Sequence, residues 1–293
     1  MTSRDAAAAR VATPGLRRRI ATAAVMAGLV VTAFEASVVT PAMPTIAREL
    51  GGDALYSWVF TAYLLAATLA VPLSGKLADR LGRRPVFATG MALFLAGSVA
   101  CGLAHSMTWL VAFRVVQGLG VGGIAPTGTT ISADLYSLEE RARIQGLFTG
   151  AWGLANVAGP PLGGFLVVHA SWRWVFLVNV PVGVVAVALL LASYADPPRR
   201  PERARIDVTG LALAAVGIAA VLLAADAHAP GGGLARAALG VVAVVAAAKF
   251  VRHERTVADP LLPRDALGDP LVRAGVVGSL FVGALIYAPT AYV

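Results

Sequence analysis

Gly75-Lys76-Leu77-Ala78-Asp79-Arg80-Leu81-Gly82-Arg83-Arg84 separates two apolar runs, each long enough to cross a bilayer. Read as a tight cytoplasmic turn, this stretch decides the fold, because it makes its flanks a pair of antiparallel membrane helices. Lys76, Arg80, Arg83 and Arg84 hold such a connection on the cytoplasmic side during insertion. Gly75 and Gly82 supply backbone conformations closed to other residues. Asp79, one acid among these bases, suits an electrostatic latch, set either against a neighbouring arginine or against the positive end of another helix. An ordinary positive-inside turn accounts for the bases, but not for the spacing of the glycines and the acid.

The rest of the chain has the same character. Of its 293 residues 58% are hydrophobic and 14% charged, against about 45–50% and 25% in soluble domains. This is an all-α integral membrane composition. After an Ala- and Arg-rich cytoplasmic tail, 1–19, expected to be disordered, nine spans follow: Ile20–Met43, Tyr56–Ser74, Val86–Ala104, Trp109–Ile131, Ile144–Val168, Trp174–Tyr194, Val208–Ala225, Gly231–Ala248 and Ala274–Val293. The first is too long for the apolar part of a signal peptide.

Alternate loops carry the bases. The tail and the loops after spans two, four, six and eight hold 20 of the 24 Lys and Arg, and the opposite side has only Arg48, Arg173 and Arg236. The N-terminus is therefore expected in the cytoplasm, with the whole net charge of +8 on the face that meets anionic lipid. This distribution, with no basic patch interleaved with aromatics, argues against a nucleic-acid partner. Cys101 is the lone cysteine, and His105, His169, His228 and His253 show no ligand spacing, so no metal site is expected. Ser37 and Cys101 lack a base partner in sequence and no phosphate-cradling loop occurs, so an enzyme is not expected.

Two ionisable residues fall inside spans, Glu35 in the first and Arg114 in the fourth. A charge at the centre of a span costs ~2.5–3.5 kcal/mol on insertion scales, so each is a functional candidate; the alternative is an ion pair that only braces two helices. At a rise of ~1.5 Å per residue, both come out roughly 8 Å from the outer edge of a core ~30 Å thick. They can meet if the first and fourth helices face each other. In the fifth span Gly146, Gly150, Gly153, Gly159, Gly163 and Gly164 form a small-residue face for close helix approach, with Pro160 and Pro161 near its outer end. Trp152 and Asn156, four apart, share a face that lines a cavity wall or simply packs.

Gly75, Leu77, Ala78, Asp79, Arg80, Gly82, Arg83 and Arg84 meet every defined position of the loop between the second and third helices of the major facilitator superfamily, which this chain resembles. Three further stretches agree. Arg114-Val-Val-Gln117-Gly-Leu-Gly-Val-Gly-Gly123 is similar to the family's fourth-helix motif, in which the arginine is linked to proton transfer and the glutamine lies near it. Gly146, Ala155, Gly159, Pro160, Gly163 and Gly164 fall on the antiporter motif, with Ala155 where glycine is usual. Phe34-Glu35-Ala-Ser-Val-Val-Thr40-Pro-Ala-Met-Pro44, and Ser171-Trp-Arg-Trp-Val-Phe176 followed by Asn179-Val-Pro-Val-Gly183, resemble the fourteen-helix drug:proton antiporters, with Glu35 and Thr40 replacing the common Asp and Asn.

The resemblance implies a six-helix N-terminal bundle over 20–194, a cytoplasmic loop and inserted two-helix hairpin over 195–251, and over 252–293 a loop with the first helix of a C-terminal bundle. It implies a chain that stops early, whose second and fifth helices lack their partners from the other half. The implied activity is proton-coupled export of amphipathic organic compounds or drugs from the cell by alternating access, across the plasma membrane. Glu35 and Arg114 would then couple protons, the Asp79 loop would gate rocking, and Gln117, Trp152 and Asn156 would line the cavity; if Glu35 does not couple, Asp226 is the next acid to consider. The implied partners are the lipid bilayer, a small-molecule substrate, protons and the remaining helices; no cofactor is implied beyond the proton gradient. A siderophore, lipid or other metabolite is the alternative cargo, and a transport-inactive membrane polypeptide the alternative role.

The charge asymmetry yields a direct expectation. In a Cys101→Ser background, an impermeant thiol reagent labels Arg80→Cys only after cells are permeabilised and labels Gly52→Cys in intact cells. Labelling of Arg80→Cys in intact cells overturns the topology.

Overall fold

A computed structural model describes residues 15–197, 207–225 and 232–257, with positions 269, 270, 272–275 and 278. Within them lie α1 (Gly15–Val38), a 3-10 turn (Thr40–Ala42), α2 (Met43–Leu50), α3 (Tyr56–Leu81), α4 (Arg83–Gly102), α5 (Met107–Leu135), α6 (Leu138–His169), α7 (Trp174–Leu177), α8 (Asn179–Ser193), α9 (Val208–Ala225) and α10 (Gly232–Glu254). Among the described residues there is no strand, and seven helical segments are long and apolar enough to cross a membrane, the first running through α1 and α2 and the sixth through α7 and α8; α9 is a shorter apolar helix. The expected ninth span, Ala274–Val293, lies outside the described residues except for positions 274, 275 and 278.

Several boundaries differ from the sequence reading: α4, α5 and α6 begin at Arg83, Met107 and Leu138 and not at Val86, Trp109 and Ile144, and two further differences bear on the tail and on the central loop. Helix α1 starts at Gly15, inside the tail assigned to 1–19. Helix α3 does not stop at Ser74 but runs 26 residues to Leu81, or ~39 Å at 1.5 Å per residue, beyond the ~30 Å hydrocarbon core. Gly75 through Leu81 is thus helix and not turn, and Gly75 needs no special backbone conformation. The whole connection is Gly82, at φ 112° and ψ 160°, before α4 begins at Arg83. That positive φ is open to glycine and strained for any other residue.

The other starts follow local chemistry. Ser106 caps α5 by accepting from Trp109 N, and Ser137 with Glu140 forms a reciprocal capping box at α6. Helix α5 is central. Its run Gly118 to Gly123 lets α3 and α4 press on both sides: a Cβ at Gly118 would lie 2.4 Å from the Tyr63 carbonyl oxygen, and one at Gly120 2.4 Å from Phe94 N. Helices α1 and α8 close the bundle against α4 and α5, α6 lies along α1, and α9 and α10 form a hairpin whose α9 touches α3.

The small-residue face of α6 is used only in part. Gly159 and Gly163 meet α1 and the turn after it, where a Cβ would lie 1.9 Å from Ser37 Oγ and 2.5 Å from the Val38 carbonyl oxygen respectively. A Cβ at Gly146, Gly150, Gly153 or Gly164 would meet nothing within 4 Å, so close approach does not account for these four among the described residues. Ala155 is buried and its carbonyl accepts from Ser37 Oγ at 3.5 Å.

The core has two apolar clusters, one of Ala21, Val25, Val31, Phe87, Met91, Phe94, Ile124, Ile131 and their neighbours, the other of Val38, Met43, Ile46, Val59, Cys101, Leu110, Trp172, Phe176 and theirs. In α1, α4 and α5 the chain passes from one cluster to the other, and α7 with α8 does the same.

The packing difference on α6 can be measured. Gly163→Ala sets a methyl against a backbone carbonyl that cannot rotate away, and is expected to cost about 1–3 kcal/mol and lower the Tm of the detergent-solubilised protein. Gly146→Ala points into open space and, alanine being the better helix former, should leave the protein as stable as the parent or up to about 1 kcal/mol more so. Equal Tm values for the two variants overturn the assigned α1–α6 contact.

Candidate functional site

The passage between the two apolar clusters is polar in each helix that makes it. Glu35 lies between Val31 and Val38 on α1, Ser98 between Phe94 and Cys101 on α4, Arg114 and Gln117 between Leu110 and Ile124 on α5, and Asn179 just after Phe176 at the start of α8. All five are buried, Glu35 at 0% exposure and Arg114 at 1%. They form one bonded layer. Arg114 Nη1 reaches Glu35 Oε1 at 2.5 Å and also donates to Gln117 Oε1 at 2.8 Å; Arg114 Nε donates to the Val59 carbonyl at 3.1 Å. Gln117 Nε2 donates to Ser98 Oγ at 2.7 Å, and Asn179 Nδ2 donates to Glu35 Oε2 at 2.5 Å. The guanidinium carbon lies 4.1 Å from the centre of the Tyr63 ring and 5.9 Å from that of Phe176, which adds cation–π attraction in a desolvated setting.

Such a pair is governed by opposing terms. Burial disfavours each charge by several kcal/mol, and the opposite charge with its hydrogen bonds restores it; removal of one partner alone costs about 3–5 kcal/mol. Arg114 is partly insured, because three acceptors besides the carboxylate surround it: the Val59 carbonyl, Gln117 Oε1 and the face of Tyr63. A carboxyl that loses its charge here does not strand its cation.

Other candidate residues lie elsewhere. Gln117, expected on a cavity wall, is fully buried in the charged layer. Trp152 lines a cleft of about 240 Å³ between α1, α5 and α6, together with Thr32, Thr129, Gln145, Phe148 and Thr149. Asn156 does not line that cleft; its Nδ2 donates to the carbonyl of Trp152 at 2.9 Å within α6. None of the residues lining the cleft is ionisable.

At the end of the bundle that carries the α3–α4 connection, Asp79 is exposed on the last turn of α3 and bonds to no described residue, so the structure sets no neighbouring arginine against it. Two other acids hold this region. Asp134 Oδ2 accepts from Arg83 Nη1 and from the Tyr194 hydroxyl, each at 2.7 Å. Asp196 Oδ1 accepts from the backbone N–H of Arg83 and Arg84 at 2.8 and 3.1 Å, an anion on the first turn of α4. Arg84 Nη2 donates to the Leu191 carbonyl, and Arg80 is exposed. In the hairpin, His253 Nε2 lies 2.9 Å from Asp207 Oδ1. No group of three or more potential metal ligands occurs among the described residues. Asp226 and His228 lie outside them.

Sequence reasoning missed Ser98, Asp134 and Asp196, and quoted Asn179 within a motif without giving it a role. For Asn179 a signal existed: an amide inside an otherwise apolar run needs a partner, and none lies nearby in the chain. Ser98 had none, since serines in membrane helices bond their own backbone as readily as another helix, as Ser193 does to Leu189.

The model for the Major Facilitator Superfamily matches residues 25–293. A multidrug transporter protein, MdtP of Bacillus subtilis (strain 168), is 41% identical over 66% of this chain and 36% of its own length. An uncharacterised transporter of the same type from Mycobacterium tuberculosis (strain ATCC 25618 / H37Rv) is 37% identical over 94% of this chain and 41% of its own. The chain thus spans about two fifths or less of the length of these relatives. Among solved structures, the proton:xylose symporter XylE bound to 6-bromo-6-deoxy-D-glucose superposes with a TM-score of 0.62 at 16% identity, covering 93% of this chain and 62% of that one. At that identity the likeness is one of fold. With the buried layer, the helix order and the family match over 25–293, the chain belongs to the major facilitator superfamily, as a multi-pass membrane protein of transporter type.

Proposed function

We propose that this chain is part of a proton-coupled exporter of amphipathic organic compounds, working by alternating access in the plasma membrane with its N-terminus in the cytoplasm. The observation that carries the reading is the contact of Glu35 with Arg114, in a layer where the arginine keeps other acceptors. Burial favours the neutral carboxyl and the guanidinium favours the ionised one. Motion that draws the two apart therefore loads a proton, and motion that returns them together releases it. Relatives named as multidrug transporters and efflux pumps support the export direction and the cargo class. The cleft beside Trp152, with aromatic and hydroxyl groups and no charged lining residue, suits one end of an amphipathic molecule. Asp79, exposed on α3, is left for a partner contributed by the remaining helices. No cofactor is needed when the gradient supplies the energy.

The test uses the protein expressed from its native gene. Glu35→Gln keeps a hydrogen-bonding amide beside Arg114, so membrane abundance and substrate binding should stay near those of the parent while uphill efflux driven by a proton gradient is lost. Glu35→Asp should keep part of it. If Glu35 and Arg114 only brace the bundle, Glu35→Gln instead lowers the amount of folded protein. Gradient-driven efflux by Glu35→Gln at the parent rate removes this carboxylate from the mechanism.

A further inference from the structure

Glu35 presents two oxygens to two different partners. Oε1 faces the Arg114 guanidinium and Oε2 faces the Asn179 amide, each at 2.5 Å. A guanidinium has donors only, so a proton cannot rest between Oε1 and Arg114 without setting two donors against each other; a side-chain amide carries both a donor and an acceptor. We propose that Asn179 is the positioning residue for proton uptake at Glu35: it donates to Oε2 while the carboxylate is ionised and turns its amide to accept from the O–H formed there when the proton arrives. The proposal rests on the reading of Glu35 as the coupling group and assigns the atom that takes the proton.

The balance is simple. A hydrated proton from the aqueous phase, admitted when the layer opens, leaves its water behind and forms one O–H bond at Oε2; the charge of Glu35 goes from minus one to zero, and Arg114 keeps its charge on Gln117 Oε1, the Val59 carbonyl and Tyr63. The charged and titratable groups about Glu35 are Arg114 from α5, Tyr63 from α3, whose ring lies against the guanidinium, and Cys101 from α4, whose Sγ is 3.9 Å from Gln117 Oε1. Helices α7 and α8 bring Phe176 and Asn179, neither ionisable, to the same place. Asn179 is 2% exposed, so water does not replace it as the partner of Oε2. An apolar residue at 179 would fill the space but leave Oε2 with neither donor nor acceptor.

Infrared titration of the full chain in lipid bilayers reads this without any transport assay. The carboxyl C=O band of protonated Glu35 is assigned by its loss in Glu35→Gln. In Asn179→Leu that band should appear at a pH up to about one unit higher, because the hydrogen bond lost by the charged carboxylate is worth more than the one lost by the neutral carboxyl, and at higher frequency, since its O–H no longer donates. Asn179→Ser, which can both donate and accept, should restore it towards the parent. In the parent carrying isotope-labelled asparagine, an amide C=O band should shift with the same midpoint, and this needs no substitution if Asn179→Leu does not fold. A Glu35 band unmoved in both pH and frequency by Asn179→Leu, or asparagine bands flat throughout the titration, overturns the role of Asn179 and leaves the coupling reading in place. A band that survives Glu35→Gln overturns the coupling reading, and this proposal with it.

Discussion

The bundle is built around the need to satisfy two opposite charges at membrane depth. Neither Glu35 nor Arg114 can bury its charge alone, and each needs more partners than the other can supply. The guanidinium takes the Val59 carbonyl and the Tyr63 face from α3 and Gln117 from its own helix, while the carboxylate takes Asn179 from α8. Ser98 on α4 fixes Gln117. Five helices are therefore held in register by one layer, and the glycines of α5 follow from it. For Arg114 to reach a backbone carbonyl of α3 while Gln117 reaches α4, α5 must lie close to both, which a run with side chains at 118, 120 and 122 would prevent.

The end of the bundle at Gly82 solves a different problem with the same kind of residue. A one-residue connection at Gly82 places the start of α4 next to the end of α3, and the N–H groups there need acceptors. Asp196 provides one from beyond α8, and Asp134 ties the Arg83 side chain to Tyr194. The bases of this loop are therefore not all free in the folded molecule. Arg83 and Arg84 are bonded, whereas Arg80 and Asp79 stay at the surface.

How much of this was legible follows the physics of each signal. Hydropathy marks a span because it averages about twenty residues, so the helices were readable and their ends were not: nothing in composition says that α3 continues past Gly75, since glycine in a helix costs only ~1 kcal/mol. The acid and the base were readable because charges in apolar runs are rare, and residue counting placed them at one depth without showing that their helices meet. Asn179 was passed over because a neutral amide stands out less, although it completes the site. The glycines of α6 show the remaining limit. Six small residues look alike in sequence, but which of them touch a neighbour depends on the rotation of the helix about its axis, and only Gly159 and Gly163 do so closely.

That rotation also decides where a ligand can sit. Helix α6 is joined to α1 near its C-terminal end by Gly159 and Gly163 against Ser37, Val38 and Pro41. Near its start Arg18 pairs with Glu140 at 3.3 Å and Thr22 Oγ1 lies 2.7 Å from the Tyr136 hydroxyl, just before α6. Between these two attachments lies the cleft lined by Thr32, Phe148 and Trp152. Thr32 precedes Glu35 by one helical turn, a rise of ~4.5 Å on the same side of α1.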